Sequence, residues 1–292
     1  AGVNLLLRSP LSPFLGRARM VHGTALLLLD RPPEATREFT AALQQGEGAL
    51  AELGLGSAAL ARRQLDEATR HFGEARDSGT DPVRQVALYG LAVVAFRQGN
   101  RQEFIQQATL SLQQAPGAPA APRILYVLAG LAVEDKAWER ARELTQRLVR
   151  DHAEAEEAGP SLFRLGTGAG AAAQWALARQ AWELLLTRYP QSPFGEDARL
   201  GLGEALLRVG AGAEARKLLE AAVTTRSADP RLPRILFLLA ESREATGDRA
   251  GASQVYDRIT RDFPDTDLAP FARLGQGRLL LQQGEWGKSR QL

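Results

Sequence analysis

Small residues recur at a constant 37-residue spacing through much of this chain, at Ala141, Ala178, Ala215 and Ala252, and the same ruler reaches Phe104 and Ser289. Two earlier positions, Ala35 and Ala68, continue the series at spacings of 33 and 36. A second column lies twelve residues before the first: Gly23, Gly56, Ala92, Ala129, Gly166, Gly203, Ala240 and Gly277. Leucine precedes it as Leu55, Leu91, Leu128, Leu165, Leu202 and Leu239. A period of this length restricts the chain to a stack of similar supersecondary units, each burying its apolar face on its neighbours.

Between the columns apolar residues recur every three or four positions, the spacing of a helix face. Polar or glycine turns such as Arg97-Gln98-Gly99-Asn100 and Ala245-Thr246-Gly247-Asp248 split each unit into two helices. Gly99, Gly210, Gly247 and Gly284 suit the left-handed residue that ends a helix. Pro10, Pro116, Pro190 and Pro264 close units; Pro122, Pro233 and Pro270 open the next helix, where the missing N–H is not needed. The expected fold is therefore all-α, a single array over 1–292 of helix–turn–helix repeats. Full repeats are expected at about 16–48, 49–84, 85–121, 122–158, 159–195, 196–232 and 233–269, with partial ones at 1–15 and 270–292. Pro10, Ser12, Pro13 and Phe14 match Pro190, Ser192, Pro193 and Phe194 in spacing. Asn4–Arg8 then reads as the tail of a preceding repeat, and the chain as a window on a longer array.

These residues resemble the tetratricopeptide repeat. The unit Ser161–Pro190 carries most of its pattern, in Leu162, Leu165, Gly166, Ala178, Trp182, Leu185 and Pro190. The units with Gly23, Ala35, Phe39 and Ala42, and with Gly56, Ala68, Phe72 and Ala75, add to it. Two units depart from the pattern: Phe104 and Ala108 exchange large and small, and Thr145 takes an aromatic position, so looser packing is expected there. The resemblance implies a right-handed α-solenoid whose first helices line a groove for a peptide or partner helix. Members that bind chaperone tails clamp a carboxylate with Lys and Asn; here the matching positions are apolar, or Thr24, Ser57, Val93 and Thr167, so that function does not carry over. The linkers Tyr189-Pro-Gln-Ser-Pro-Phe194 and Phe263-Pro-Asp-Thr-Asp267 resemble those of bacterial outer-membrane assembly and Tol-Pal-associated members, which implies a periplasmic scaffold. Few Lys and Asn beside abundant Ala, Gly, Arg and Pro fit a GC-rich bacterial genome.

Gly166, Gly168 and Ala171 form a G-x-G-x-x-A string, the fingerprint of a dinucleotide turn. That turn needs a preceding strand, whereas Glu156–Pro160 reads as a loop, so the glycines are expected to be packing residues. Gly168 and Gly170 weaken a helix by about 1 kcal/mol each, so this helix is expected to be either the least stable or the most closely packed. His22, His71 and His152 lie in different repeats without metal-ligand spacing. His71 with Glu74 is expected to be a surface pair, and the acidic stretch Asp151–Glu157 a solvated loop. No nucleophile elbow, P-loop or EF-hand is present. With no Cys there is neither disulfide nor thiolate chemistry. Of 36 basic residues 33 are Arg, interspersed among 34 acids for a net charge of +2, a mixed surface and not a nucleic-acid stripe. The longest apolar runs, such as Ala25–Leu29, are too short to span a membrane.

Three residues before the glycine column stand Met20, Leu53, Tyr89, Tyr126, Phe163, Leu200, Phe237 and Leu274, an apolar ridge expected to form the partner-binding groove, with part of it packing on neighbouring repeats. The expected function is a non-catalytic protein-interaction scaffold in a bacterial cell-envelope assembly in the periplasm, binding other proteins, with no cofactor, metal or nucleic acid. The alternative is a cytoplasmic interaction domain of a larger enzyme or regulator.

Overall fold

The computed structural model describes residues 13–224 and 230–290. Asn4–Arg8, Pro10 and Ser12, and with them the partial repeat expected at 1–15 up to residue 12, lie outside the described residues. The chain alternates first and second helices: α1 (Leu15–Leu28), α2 (Pro32–Ala42), α3 (Gly48–Ala61), α4 (Leu65–Ser78), α5 (Asp81–Arg97), α6 (Arg101–Gln114), α7 (Ala121–Glu134), α8 (Trp138–Asp151), α9 (Ala158–Ala171), α10 (Trp175–Arg188), α11 (Gly195–Arg208), α12 (Gly212–Thr224), α13 (Leu232–Ala245), α14 (Arg249–Asp262), α15 (Ala269–Gln282) and α16 (Trp286–Ser289). They form two compact units, one ending at Ile124 and one starting at Leu125. Each is an all-α stack of helix pairs.

The corner between the two helices of a pair has one conformation throughout. Gly99, Gly210, Gly247 and Gly284 are left-handed, with φ between 72 and 83°. Where glycine is lacking, Asp30, Arg63, Lys136 and Ala173 adopt the same sign, φ 54–61°. At each corner the third amide beyond the helix bonds back five residues, as in Gln64 to Ala59 (2.9 Å), Gln174 to Ala169 (2.8 Å) and Asp248 to Arg243 (2.8 Å). This six-to-one bond satisfies a carbonyl that the helix end leaves open. It fixes the turn firmly enough that four side chains tolerate a backbone region that suits glycine.

Linkers between pairs are equally repetitive. In the second unit the amides of Ala155, Ser192 and Thr266 bond the carbonyls of His152, Tyr189 and Phe263, and those of Ala158, Gly195 and Ala269 repeat the step three residues on. In the first unit Ala118 and Ala121 do the same from Ala115. Two described linkers differ: between α4 and α5 only Gly79 and Thr80 intervene, and between α2 and α3 a kinked segment (Leu43–Glu47) turns through Gly46 (φ 90°) and Gly48 (φ 41°).

The core is built of aromatic plugs in glycine sockets. A Cβ on Gly166 would stand 2.6 Å from Nε1 of Trp182, and one on Gly201 2.5 Å from its Cζ2. A Cβ on Gly23 or Gly54 would likewise stand 2.7 or 2.5 Å from the Phe39 ring, and one on Gly56 or Gly90 2.7 Å from that of Phe72. Each ring from a second helix thus sits between the first helix of its own pair and that of the next. Only a residue without a side chain permits so close an approach. The glycine-rich helix α9 is therefore the closely packed one of the two expected outcomes: Gly170 faces Trp182 and Gly168 faces Val133.

The two departures from the repeat pattern differ: Phe104 is packed, whereas a hollow of about 410 Å3, walled by Leu162, Leu165 and Leu177, lies beside Thr145. Phe104 is buried and meets Phe96 edge-on at 5.5 Å. Thr145 is fully buried, its hydroxyl 3.1 Å from that of Ser161. A shared hydrogen bond thus replaces the contacts of an aromatic ring.

Candidate protein-binding face

The ridge residues stand on the first helices, half-buried in every case but the exposed Leu274. In the first unit Met20, Leu53 and Tyr89 are half-buried. Met20 leans on the core around Phe39 and Leu55, and Leu53 on those around Phe72 and Val83. Much of their surface is thus taken up within the stack.

In the second unit the positions divide. Tyr126 lies under the Arg164 guanidinium, 5.9 Å from the ring centre. Phe163 stacks on Phe194 of the following linker (4.6 Å, 13°), and Phe237 tilts against Tyr256 of its own pair (5.9 Å, 59°). Leu274 is 70% exposed. Between α9 and α11 the ridge opens into a hollow of about 510 Å3, where Phe163, Leu200 and Trp175 supply apolar walls and Asp197, Glu204 and Arg234 charged ones.

The rim of this face is a ladder of arginine–carboxylate pairs between successive first helices: Arg164–Glu134 (2.6 Å), Arg234–Glu204 (2.7 Å) and Arg278–Glu244 (2.7 Å). Partly exposed pairs like these contribute about 0–1 kcal/mol each; their larger effect is to set the lateral position of neighbouring helices. Tyr256 donates to the same Glu244 carboxylate at 2.8 Å. Burial, with that bond to a carboxylate, pushes the phenol well above its ordinary range.

Glu241 is the weakly paired rung. Its closest cation is Arg208 at 3.7 Å, and its Oε2 is buried without a hydrogen-bond partner. Burial, followed by the Glu204 and Glu244 charges, raises its carboxyl above the usual value. Glu204, Glu241 and Arg278 occupy the register of Thr24, Ser57 and Thr167, so in the later repeats the position beside the glycine column is charged. Thr24 and Ser57 turn their hydroxyls onto the carbonyls of Met20 and Leu53.

The expected surface pair at His71 is corrected by the structure. His71 is buried and bonds Glu52 of the facing helix α3 at 2.6 Å, while Glu74 takes Arg70. A helix-face spacing of three placed Glu74 beside His71 in sequence; the rotation of α4 against α3 turned the imidazole inward. In the Asp151–Glu157 stretch, Asp151 is taken by Arg150 at 2.7 Å, with Arg147 at 3.7 Å. Among the described residues no helix is long and apolar enough to cross a membrane.

Two tetratricopeptide-repeat family profiles match the chain, one at residues 53–119 and 163–231 and the other at 234–266. The chain carries tetratricopeptide repeats. It is 27% identical over 237 residues to the protein CTR9 homolog of Arabidopsis thaliana, covering 78% of this chain but 21% of that relative. Among solved structures it superposes on a chain of Naa15/Naa10 bound to HypK-THB, with TM-score 0.66, 12% identity and coverage of 91% of this chain and 39% of that one. The C-terminal part of a TPR repeat-containing protein from Cytophaga hutchinsonii matches with TM-score 0.55 at 11% identity, covering 87% and 98%. At these identities the likeness is one of fold. The chain thus spans only a fifth of the curated relative and under half of the first of these structures.

Proposed function

We propose that the protein is a non-catalytic interaction scaffold that holds an apolar or aromatic side chain of a partner protein against its first-helix face, at the hollow between α9 and α11. The observation that carries this reading is the contrast between two sets of apolar side chains. Second-helix rings such as Phe39 and Phe72 are sealed in glycine sockets, whereas Phe163 and Leu200 stay half-open on a preformed wall with charged groups at its edge. A rigid wall limits the ordering cost of binding, and buried apolar anchors carry most interface energy. The repeat family itself supports protein binding.

The finer reading is a component of a bacterial cell-envelope assembly. It is supported by the linkers Tyr189–Phe194 and Phe263–Asp267, where the Tyr189 hydroxyl donates to the Ala153 carbonyl at 3.0 Å and so ties one linker to the next. Affinity capture from membrane and soluble fractions of the native cell tests both levels. The wild type is compared with a Phe163→Arg/Leu200→Arg variant whose helicity is first shown to be unchanged. Proteins retained by wild type and lost with the variant support the face; their recovery from the membrane fraction supports the envelope. Capture indifferent to the variant overturns the face, and capture confined to the soluble fraction overturns the envelope.

A further inference from the structure

The pair of His71 and Glu52 lies in the first unit, outside the proposed face, and belongs to a larger cluster. One ligand atom from each of Glu52, His71 and Glu74 lies within 4.8 Å of the other two. Glu52 comes from α3; His71 and Glu74 come from α4, three residues apart and so on one face of the helix. Glu67, one turn before His71, brings its Oε1 to 3.8 Å from the imidazole Nε2.

Two features separate this cluster from an ordinary surface ion pair. The first is burial: the side chains of His71 and Glu52 are 8% and 11% exposed. A carboxylate removed from water is costly unless a charge or hydrogen bonds compensate it. The second is the position of the compensating charge. The Arg70 guanidinium reaches His71 Nε2 at 2.8 Å and Glu74 at 3.1 Å, so a cation bridges two of the three groups. Arg70 is itself 57% exposed. Its exposed contact with Glu74 is of the kind that contributes about 0–1 kcal/mol, and the arm can turn out to solvent.

We propose that Glu52, His71 and Glu74 form a site for a divalent late first-row cation such as zinc, which enters at His71 Nδ1 beside the Glu52 carboxylate, draws Glu74 away from Arg70 and so ties α3 to α4. The ligand set selects the class. Imidazole with carboxylates suits zinc and its neighbours, whereas calcium and magnesium favour oxygen ligands alone. The three carboxylates of Glu52, Glu67 and Glu74 against the single charge of Arg70 leave the cluster negative. A dication at Nδ1 relieves that imbalance. By bridging two helices of the folded unit, the ion would also stabilise it by mass action.

The test is titration of the full chain, stripped with chelator, with cobalt(II) chloride, read by visible absorption and followed by displacement with zinc chloride. Expected are one saturable equivalent with d–d absorption, a rise in thermal midpoint on binding, and loss of at least about tenfold in affinity in Glu74→Gln. Glu74 is nearly half exposed, so that variant keeps the fold, checked by circular dichroism. Arg70→Ala should bind more tightly than wild type, since the competing cation is gone; a merely structural role for Arg70 gives no such gain. His152→Gln serves as control and should bind as wild type does. Absence of saturable binding up to about 1 mM metal, or binding equal in wild type and Glu74→Gln, overturns the proposal.

Discussion

At the level of single residues, the strongest constraint is the absence of side chains at the sockets. Trp182 has a rigid indole, so a methyl group at Gly201 has no flexible neighbour to displace. Gly201→Ala should destabilise the protein by about 1–3 kcal/mol, measured as a shift of the denaturant midpoint. Combining it with Trp182→Leu should cost less than the sum of the two changes, because the smaller side chain vacates the clash; strict additivity would show that the two do not meet. Gly166 was legible as a packing residue from its column. Its counterpart Gly201 was not, because the second set of glycines, Gly54, Gly90, Gly201 and Gly275, acquires meaning only once the ring of the preceding pair is seen against it. Where that ring is replaced by Thr145 or Leu219, the matching position is Arg164 or Leu238, so size is exchanged across the junction.

The helix corners act at the same scale. Ala173 holds φ 57° at the position where Gly210 holds 83°. A side chain in the left-handed region costs about 1 kcal/mol. Ala173→Gly should therefore raise the thermal midpoint and Gly210→Ala lower it; equal small effects of both would show that the six-to-one bond alone sets the turn.

For the helices as elements, the first-helix rim is governed by charge. Glu241 on α13 has its carboxyl raised by burial and by Glu204 and Glu244. An acid whose folded value exceeds its unfolded one contributes stability that is fully present below the unfolded value. That contribution is lost as pH rises through the folded value. Glu241→Gln should thus raise the melting temperature at pH 7, and the difference should close as the pH falls to about 4, in paired thermal melts. Four corners and several linkers were readable at this scale, since glycine and proline mark them directly; the corners at Asp30, Arg63, Lys136 and Ala173 carry no such mark. The arginine ladder was not, because its partners stand 30 and 34 residues apart, and nothing in one helix indicates which carboxylate of the next will face it.

In the whole molecule, stability is a sum of neighbour-on-neighbour contacts. A local lesson follows from that. Amide exchange in Gly201→Ala should accelerate in α9 to α11, which carry and contact Trp182, and stay unchanged in α1 to α4; acceleration spread evenly over the chain would show a single cooperative body instead.

The sequence by itself determined the helix pair, its period, its corners and its linkers, because each rests on local chemistry: apolar spacing along a helix, a left-handed residue, a proline without a donor. It also placed Met20, Leu53, Tyr89, Tyr126, Phe163, Leu200, Phe237 and Leu274 in one register. Only the tertiary structure decided what each does there. Phe163 stacks on Phe194, Phe237 leans on Tyr256, Tyr126 lies under Arg164, and Leu200 is left lining a hollow. His71, equally, read as a surface residue and faces Glu52. The physical reason is common to all of them: a repeat fixes which face a side chain is on, while its burial depends on the size and charge of residues one repeat away, which vary from unit to unit.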